Sequence, residues 1–229
     1  MNFKAFQTIN RDFLAKIGVG ASHAGEHLDK VVELCQEASK ELSCYQRLVI
    51  KYAAELHETD DKKYGGDLTF KNAIEIMKQN EDLDDDFIKD VVFVISLVSC
   101  STNKDFIPEN AEPWHLIVRH ADRLEGVDIK RGIEYGLETG QPLFLDTTER
   151  ATSVEDLYAR LATKERYANY KKSVSFIDHF YDKLLHILAG IDNLYLKSLA
   201  GDKQEKMEQL CLKFGETGTI TREEIAEFY

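Results

Sequence analysis

The sequence predicts an all-α fold, on three observations. Apolar residues recur at helical spacing along most of the 229 positions. No stretch sustains the alternating pattern of a strand. Several runs open on Ser, Thr or Asp, the residues that cap helix N-termini. The length suits one domain. The expected architecture is a single helical bundle over residues 1–229, with its core at about 22–190 and residues 191–229 packed on it or peripheral.

Phe6, Ile9, Phe13 and Ile17 mark a first helix, ended by Gly18-Val19-Gly20. Ser22 caps a second running to about Lys40, with Glu26 in its first turn and Leu28, Val31, Val32, Cys35 and Ala38 inward. Ser43 opens a third. There Leu48, Tyr52 and Leu56 form one row, and Val49, Ala53 and His57 form its neighbour, so His57 closes an inward row. Gly65-Gly66 breaks the chain, and Asp67 caps a helix from Leu68 to Gln79. Asp84 to Val98 is apolar nearly all round, hence central. Residues 99–112 read as a loop, and Pro113 suits the first turn of a helix through Glu125. Residues 136–149 are irregular, while Val154 to Tyr167 and Val174 to Leu199 are helical in pattern. Thr221 and Glu224 form a capping box for a last short helix.

Composition narrows the function classes. A formal net charge of −12 repels nucleic acid backbones, so no nucleic-acid partner is expected. No run approaches the roughly 18–20 apolar residues of a membrane span, and the N-terminus has no apolar signal core. A soluble cytoplasmic protein with no membrane partner is the expectation. Cys35, Cys44, Cys100 and Cys211 have no metal-knuckle spacing, and no structural disulfide is expected.

The chemistry gathers at Leu56-His57-Glu58-Thr59-Asp60-Asp61-Lys62-Lys63-Tyr64. An imidazole, carboxylates and ammonium groups in one stretch suit metal chemistry on phosphates, or a charged loop after a helix. His27, which precedes Val31 and Leu34 by four and seven, is also inward. Asp122 follows Trp114 and Val118 at helical spacing. An inward carboxylate needs a partner. Either Arg119 or Arg123 pairs with it, or a cation held with His27 and His57 does.

His23-Ala24-Gly25-Glu26-His27, Ala53-Ala54-Glu55-Leu56-His57, Asp60-Asp61-Lys62-Lys63-Tyr64, Ala121-Asp122-Arg123-Leu124-Glu125 and Ile177-Asp178-His179-Phe180-Tyr181-Asp182-Lys183-Leu184-Leu185 follow one another in the chain. In order and spacing they resemble the HD-domain metal-dependent phosphohydrolase superfamily, and more closely its stand-alone proteins, which include nucleotide pyrophosphohydrolases. The resemblance covers roughly residues 22 to 190. It implies a helical phosphohydrolase whose divalent metal is held by His27, His57, Glu58 and Asp122. Manganese suits that set best, with iron, cobalt, nickel, zinc or magnesium as alternatives. Glu58 and Asp61 are the implied catalytic acids, Asp61 orienting the attacking water. Lys62, Lys63, Arg123 and Lys183 are implied phosphate contacts, with His23 and His179 in support. The implied substrate is a nucleotide or other small phosphate ester. His115, His120 and His186 carry no assignment.

Two departures stand out. The superfamily's His-Asp pair is His57-Glu58 here, and glutamate reaches about 1.5 Å further. The stretch after Asp122, Gly126-Val127-Asp128-Ile129-Lys130, is short. The alternative expectation is therefore a catalytically impaired relative that binds a nucleotide or a protein partner. Di-iron oxygenases of the same fold are disfavoured, because residues 58–114 contain no histidine.

Overall fold

A computed structural model describes residues 3–19, 25–80, 82–99, 106–138, 140–169 and 173–229, without the side chains of Lys63, Tyr135, Leu137 and Glu138. Gly20, Ser22, His23 and Cys100 thus lie outside the described residues, as does the side chain of Lys63. The regular secondary structure of the described residues is all helical, with no strand among them. They divide into two compact units, Met1–Glu125 and Gly126–Tyr229.

The first unit holds α1 (Phe3–Lys16), α2 (Glu26–Ala38), α3 (Cys44–Leu56), α4 (Lys71–Lys78), α5 (Asp85–Ser96) and nearly all of α6 (Ile117–Gly126). Helix α3 is its centre, packing on α1, α2 and α5. It begins where the sequence expects. The Ser43 side chain accepts from Gln46 N–H at 3.2 Å, and Gln46 Oε1 accepts from Ser43 N–H at 3.1 Å. Tyr52 carries much of the packing. Its ring lies 4.5 Å from Phe6 of α1 and 5.4 Å from Phe87 of α5, so one aromatic side chain joins three helices. Val49, Ala53 and Leu56 are fully buried, and the Val49 and Leu56 side chains contribute roughly 1.5–3 kcal/mol each. Leu48 departs from the expected row and is exposed.

Three local readings shift. The buried row of α1 is Phe6, Asn10 and Leu14, with a polar residue at its middle. Helix α4 starts at Lys71, later than expected, because Asp67 folds back onto Thr69 N–H at 2.8 Å. Its cap comes from outside the helix: Asp60 accepts from Asn72 N–H at 3.3 Å and Ala73 N–H at 2.9 Å. Phe70, at φ 52°, makes the left-handed step into this helix. The segment 113–126 opens as a 3₁₀ turn, Pro113–Leu116, before becoming α-helical.

The second unit holds α7 (Ile129–Glu138), α8 (Val154–Asp156, continued by the π-turn Leu157–Leu161), α9 (Lys164–Ala168), α10, α11 (Leu194–Thr217) and α12 (Arg222–Ala226). Helix α10 spans 176–189 and contains the π-turn Phe180–Leu184. The apolar run 174–199 is therefore two helices. Gly190 ends the first, and Asn193 caps the second by accepting from Leu196 N–H at 3.1 Å. The run 154–167 likewise breaks at Ala162, and Thr163 caps α9. Phe176, Phe180, Tyr181, Leu210 and Phe214 fill the core of this unit. Arg166 ties α9 to α10, donating to Asp182 at 2.7 Å and Asp178 at 3.2 Å. The capping box of Thr221 and Glu224 is present.

Candidate metal centre

Three elements of the first unit deliver four side chains to one point. His27 is the second residue of α2, at the helix end opened by Gly25 in the left-handed region (φ 55°). His57 is the C-cap of α3, closing the buried row of Val49 and Ala53. Glu58 follows it in the turn, and Asp122 stands on α6. The ligand-type atoms of these four residues all lie within 4.8 Å of one another. His27 Nε2 is 3.3 Å from His57 Nε2, 3.3 Å from Asp122 Oδ1 and 3.7 Å from Glu58 Oε1. His57 Nε2 is 3.5 Å from Asp122 Oδ1 and 3.8 Å from Glu58 Oε1. The longer Glu58 side chain thus points into the cluster.

Both rings are oriented from behind. His27 Nδ1 pairs with the Glu125 carboxylate, and His57 Nδ1 donates to the Ala54 carbonyl at 2.8 Å. A ring whose Nδ1 holds the proton presents Nε2 as a lone-pair donor, the arrangement that suits a cation. His27, His57 and Glu58 are buried, while the Asp122 side chain is 28% exposed, which leaves the cluster approachable on that side. Burial alone would lower the pKa of His27, but Asp122 and Glu125 outweigh it and hold the imidazole at about 9. His57 is likewise raised, Asp122 and Glu58 prevailing over burial. Burial opposes ionisation of Asp122, yet the two imidazoles hold it well below the ordinary carboxylate range.

Beside the cluster, His57, Asp60, Asp61, Lys62, Phe70 and Ser96 are among the residues lining a cavity of ≈ 20 Å³, about the room of a single water. Asp60 is buried and spent on capping α4, whereas Asp61 is half-buried and Lys62 is exposed. Gly66 packs so closely on Asp60 that a Cβ there would sit 2.2 Å from its backbone. Arg123 is half-buried, one residue beyond Asp122. His179 and Lys183 belong to α10 in the second unit, where burial and the neighbouring Lys183 push the His179 imidazole down to about 4. His115 accepts from Glu112 N–H at 2.8 Å and packs, tilted by 40°, against Trp114.

Sequence reasoning missed Glu125 and Asn10. Glu125 had a usable signal, since it follows Asp122 by three and shares its helix face. Asn10 had none, because its partners lie 45 and 49 positions away.

The chain shares its all-α fold with an HD-superfamily hydrolase of known structure. The chain's family includes the protein L803 of Acanthamoeba polyphaga mimivirus, 37% identical over 230 residues, with 89% of this chain and 92% of that protein covered. No protein-family model matches the chain. Solved structures share the fold. An HD-superfamily hydrolase of Bacillus thuringiensis matches with TM-score 0.64 and 21% identity, over 92% of this chain and 93% of its own. A Lactobacillus plantarum protein matches with TM-score 0.65 and 20% identity, over 92% and 93%. YpgQ of Bacillus subtilis, solved in complex with ADP, matches with TM-score 0.60 and 15% identity, over 94% and 97%. Among the described residues, no helix is long and apolar enough to cross a membrane.

Proposed function

We propose that the chain is a metal-dependent phosphohydrolase acting on a nucleotide or other small phosphate ester. The carrying observation is the meeting of His27 Nε2, His57 Nε2, Glu58 and Asp122 with both Nδ1 atoms engaged behind them. That donor set fits a divalent cation. Manganese suits it best, with iron, cobalt, nickel, zinc or magnesium as alternatives. When bound, such a cation supplies Lewis-acid activation of water and of a phosphoryl oxygen.

The chain's own residues do the rest. Glu125 and the Ala54 carbonyl hold the two rings in register, and Asp122 and Glu58 supply the negative charge that fixes the cation. Asp61, at the rim of the small cavity beside His57, orients the attacking water and accepts its proton. Lys62 stands next to it as a cation for phosphate oxygens. Lys63, Arg123 and Lys183 are assigned to the same task, and His23 and His179 to supporting it, on the sequence resemblance. The ADP bound to YpgQ favours a nucleotide among phosphate esters.

The test is release of phosphate or pyrophosphate from a nucleotide panel by the purified protein with manganese. A folded protein that turns over no substrate with any common divalent metal contradicts the proposal. Glu58 favours one second reading, a binding protein descended from an enzyme. Glu58→Asp separates the two: activity gained where none existed supports the binder, and activity lost supports glutamate as the working ligand.

A further inference from the structure

We propose that Asn10 of α1 is a positioning residue that fixes Glu58 at the cluster by gripping the chain on both sides of it. The Asn10 side chain is fully buried. Its amide nitrogen donates to the Glu55 carbonyl at 2.6 Å, and its amide oxygen accepts from Thr59 Oγ1 at 2.9 Å. Residues 55 and 59 bracket His57-Glu58. Both ends of one rigid planar group are therefore engaged, so the spacing between α3 and the turn after it is set by the length of an amide.

The end of α3 explains why a side chain is needed there. The last carbonyls of a helix lack partners within it. The next turn bonds Thr59 N–H to the Leu56 carbonyl at 2.9 Å, and Asn10 serves the Glu55 carbonyl. The Glu55 carboxylate is itself fully buried, accepting from Gln7 Nε2 at 2.9 Å and from Arg11 Nε at 3.2 Å. Arg11 continues to Asp29 of α2 at 2.6 Å, two residues after His27. One polar face of α1 thus links the helix that His57 caps to the helix whose second residue is His27. Glutamate at position 58 makes this grip consequential, because its extra methylene lets the carboxylate sweep a wider arc than aspartate's. A fixed backbone on either side restricts that arc.

The metal consequence rests on the proposed metal site; the placement of Glu58 does not. The experiment uses Thr59→Val, which removes the hydroxyl while keeping the shape, with Thr59→Ser as the conservative restoration. In metal-free crystals of Thr59→Val, Glu58 Oε1 is expected to leave its present positions 3.7 and 3.8 Å from the imidazoles, while His27, His57 and Asp122 stay in place. Cobalt(II) affinity should fall about tenfold or more, the scale for lost supporting contacts, with an altered visible spectrum. Thr59→Ser should restore both. Glu58 unmoved in Thr59→Val overturns the proposal, as does wild-type cobalt affinity and spectrum alongside only a lowered Tm. A wild-type protein that takes up no cobalt contradicts the metal site, and the metal-free crystals then decide the role of Asn10 by themselves. If Thr59→Val does not fold, Thr59→Ala removes the same hydroxyl and is read in the same way.

Discussion

His27 and His57 face each other through Nε2 atoms 3.3 Å apart, each with its Nδ1 turned away to a fixed partner. The rings come from different helices, one at a helix start and one at a helix end. Asp122 lies 3.3 and 3.5 Å from the two nitrogens. Without a cation the carboxylate and a ring proton hold this arrangement together; with one, that proton has to leave.

Metal affinity should therefore rise with pH. His27 in the metal-free protein is held at about 9 against an ordinary 6.5, because Asp122 and Glu125 outweigh its burial. Below about 9 a bound metal displaces that proton, so affinity should gain up to about tenfold per pH unit for each proton displaced. Cobalt titrations between pH 6 and 9.5 measure the slope. A flat profile contradicts the assignment of His27.

Stability of the metal-free protein should run the opposite way. A raised pKa in the folded state means the His27 contribution is fully present below about 6.5 and is lost as pH rises through about 9. Asp122, whose pKa is depressed below 3.8, contributes above that pH and loses its contribution only as pH falls beneath it. The metal-free Tm should thus decline from pH 6.5 to 9, while the Tm gain on adding metal grows over the same range. Differential scanning calorimetry with and without manganese checks both.

Glu125→Ala should weaken metal binding about 10- to 100-fold, the usual effect of removing the group that orients a ligating histidine. Isothermal titration measures it. Unchanged affinity would mean that the His27 ring is oriented by packing alone.

Much of this was legible in the sequence. The row Val49, Ala53, His57 announced an inward histidine, and helical spacing after Trp114 placed Asp122 inward as well. The long apolar runs misled where caps were overlooked: Asn193 begins a helix inside the run 174–199, and Thr163 inside 154–167. Asp67 resembled a cap, but Asp60 performs that task from eleven residues before Lys71, a contact no local pattern contains. Asn10 carries no signal in the sequence for the same reason, since a buried polar residue is intelligible only through partners that folding brings to it.

Adjacent aspartates should behave differently. Asp60→Ala removes the cap of α4 and should cost about 1–2 kcal/mol, read by urea unfolding. Asp61→Ala should lower kcat about 10²-fold or more in the proposed reaction. Unchanged turnover in a folded Asp61→Ala protein would remove Asp61 from the chemistry.

The central claim is that His27, His57, Glu58 and Asp122 together hold a divalent cation. Anomalous scattering from crystals grown with manganese tests it directly. The expected result is a peak at bonding distance, about 2.0–2.3 Å, from both Nε2 atoms and from the Asp122 and Glu58 carboxylates. A manganese-saturated crystal with no peak among these four side chains would contradict it.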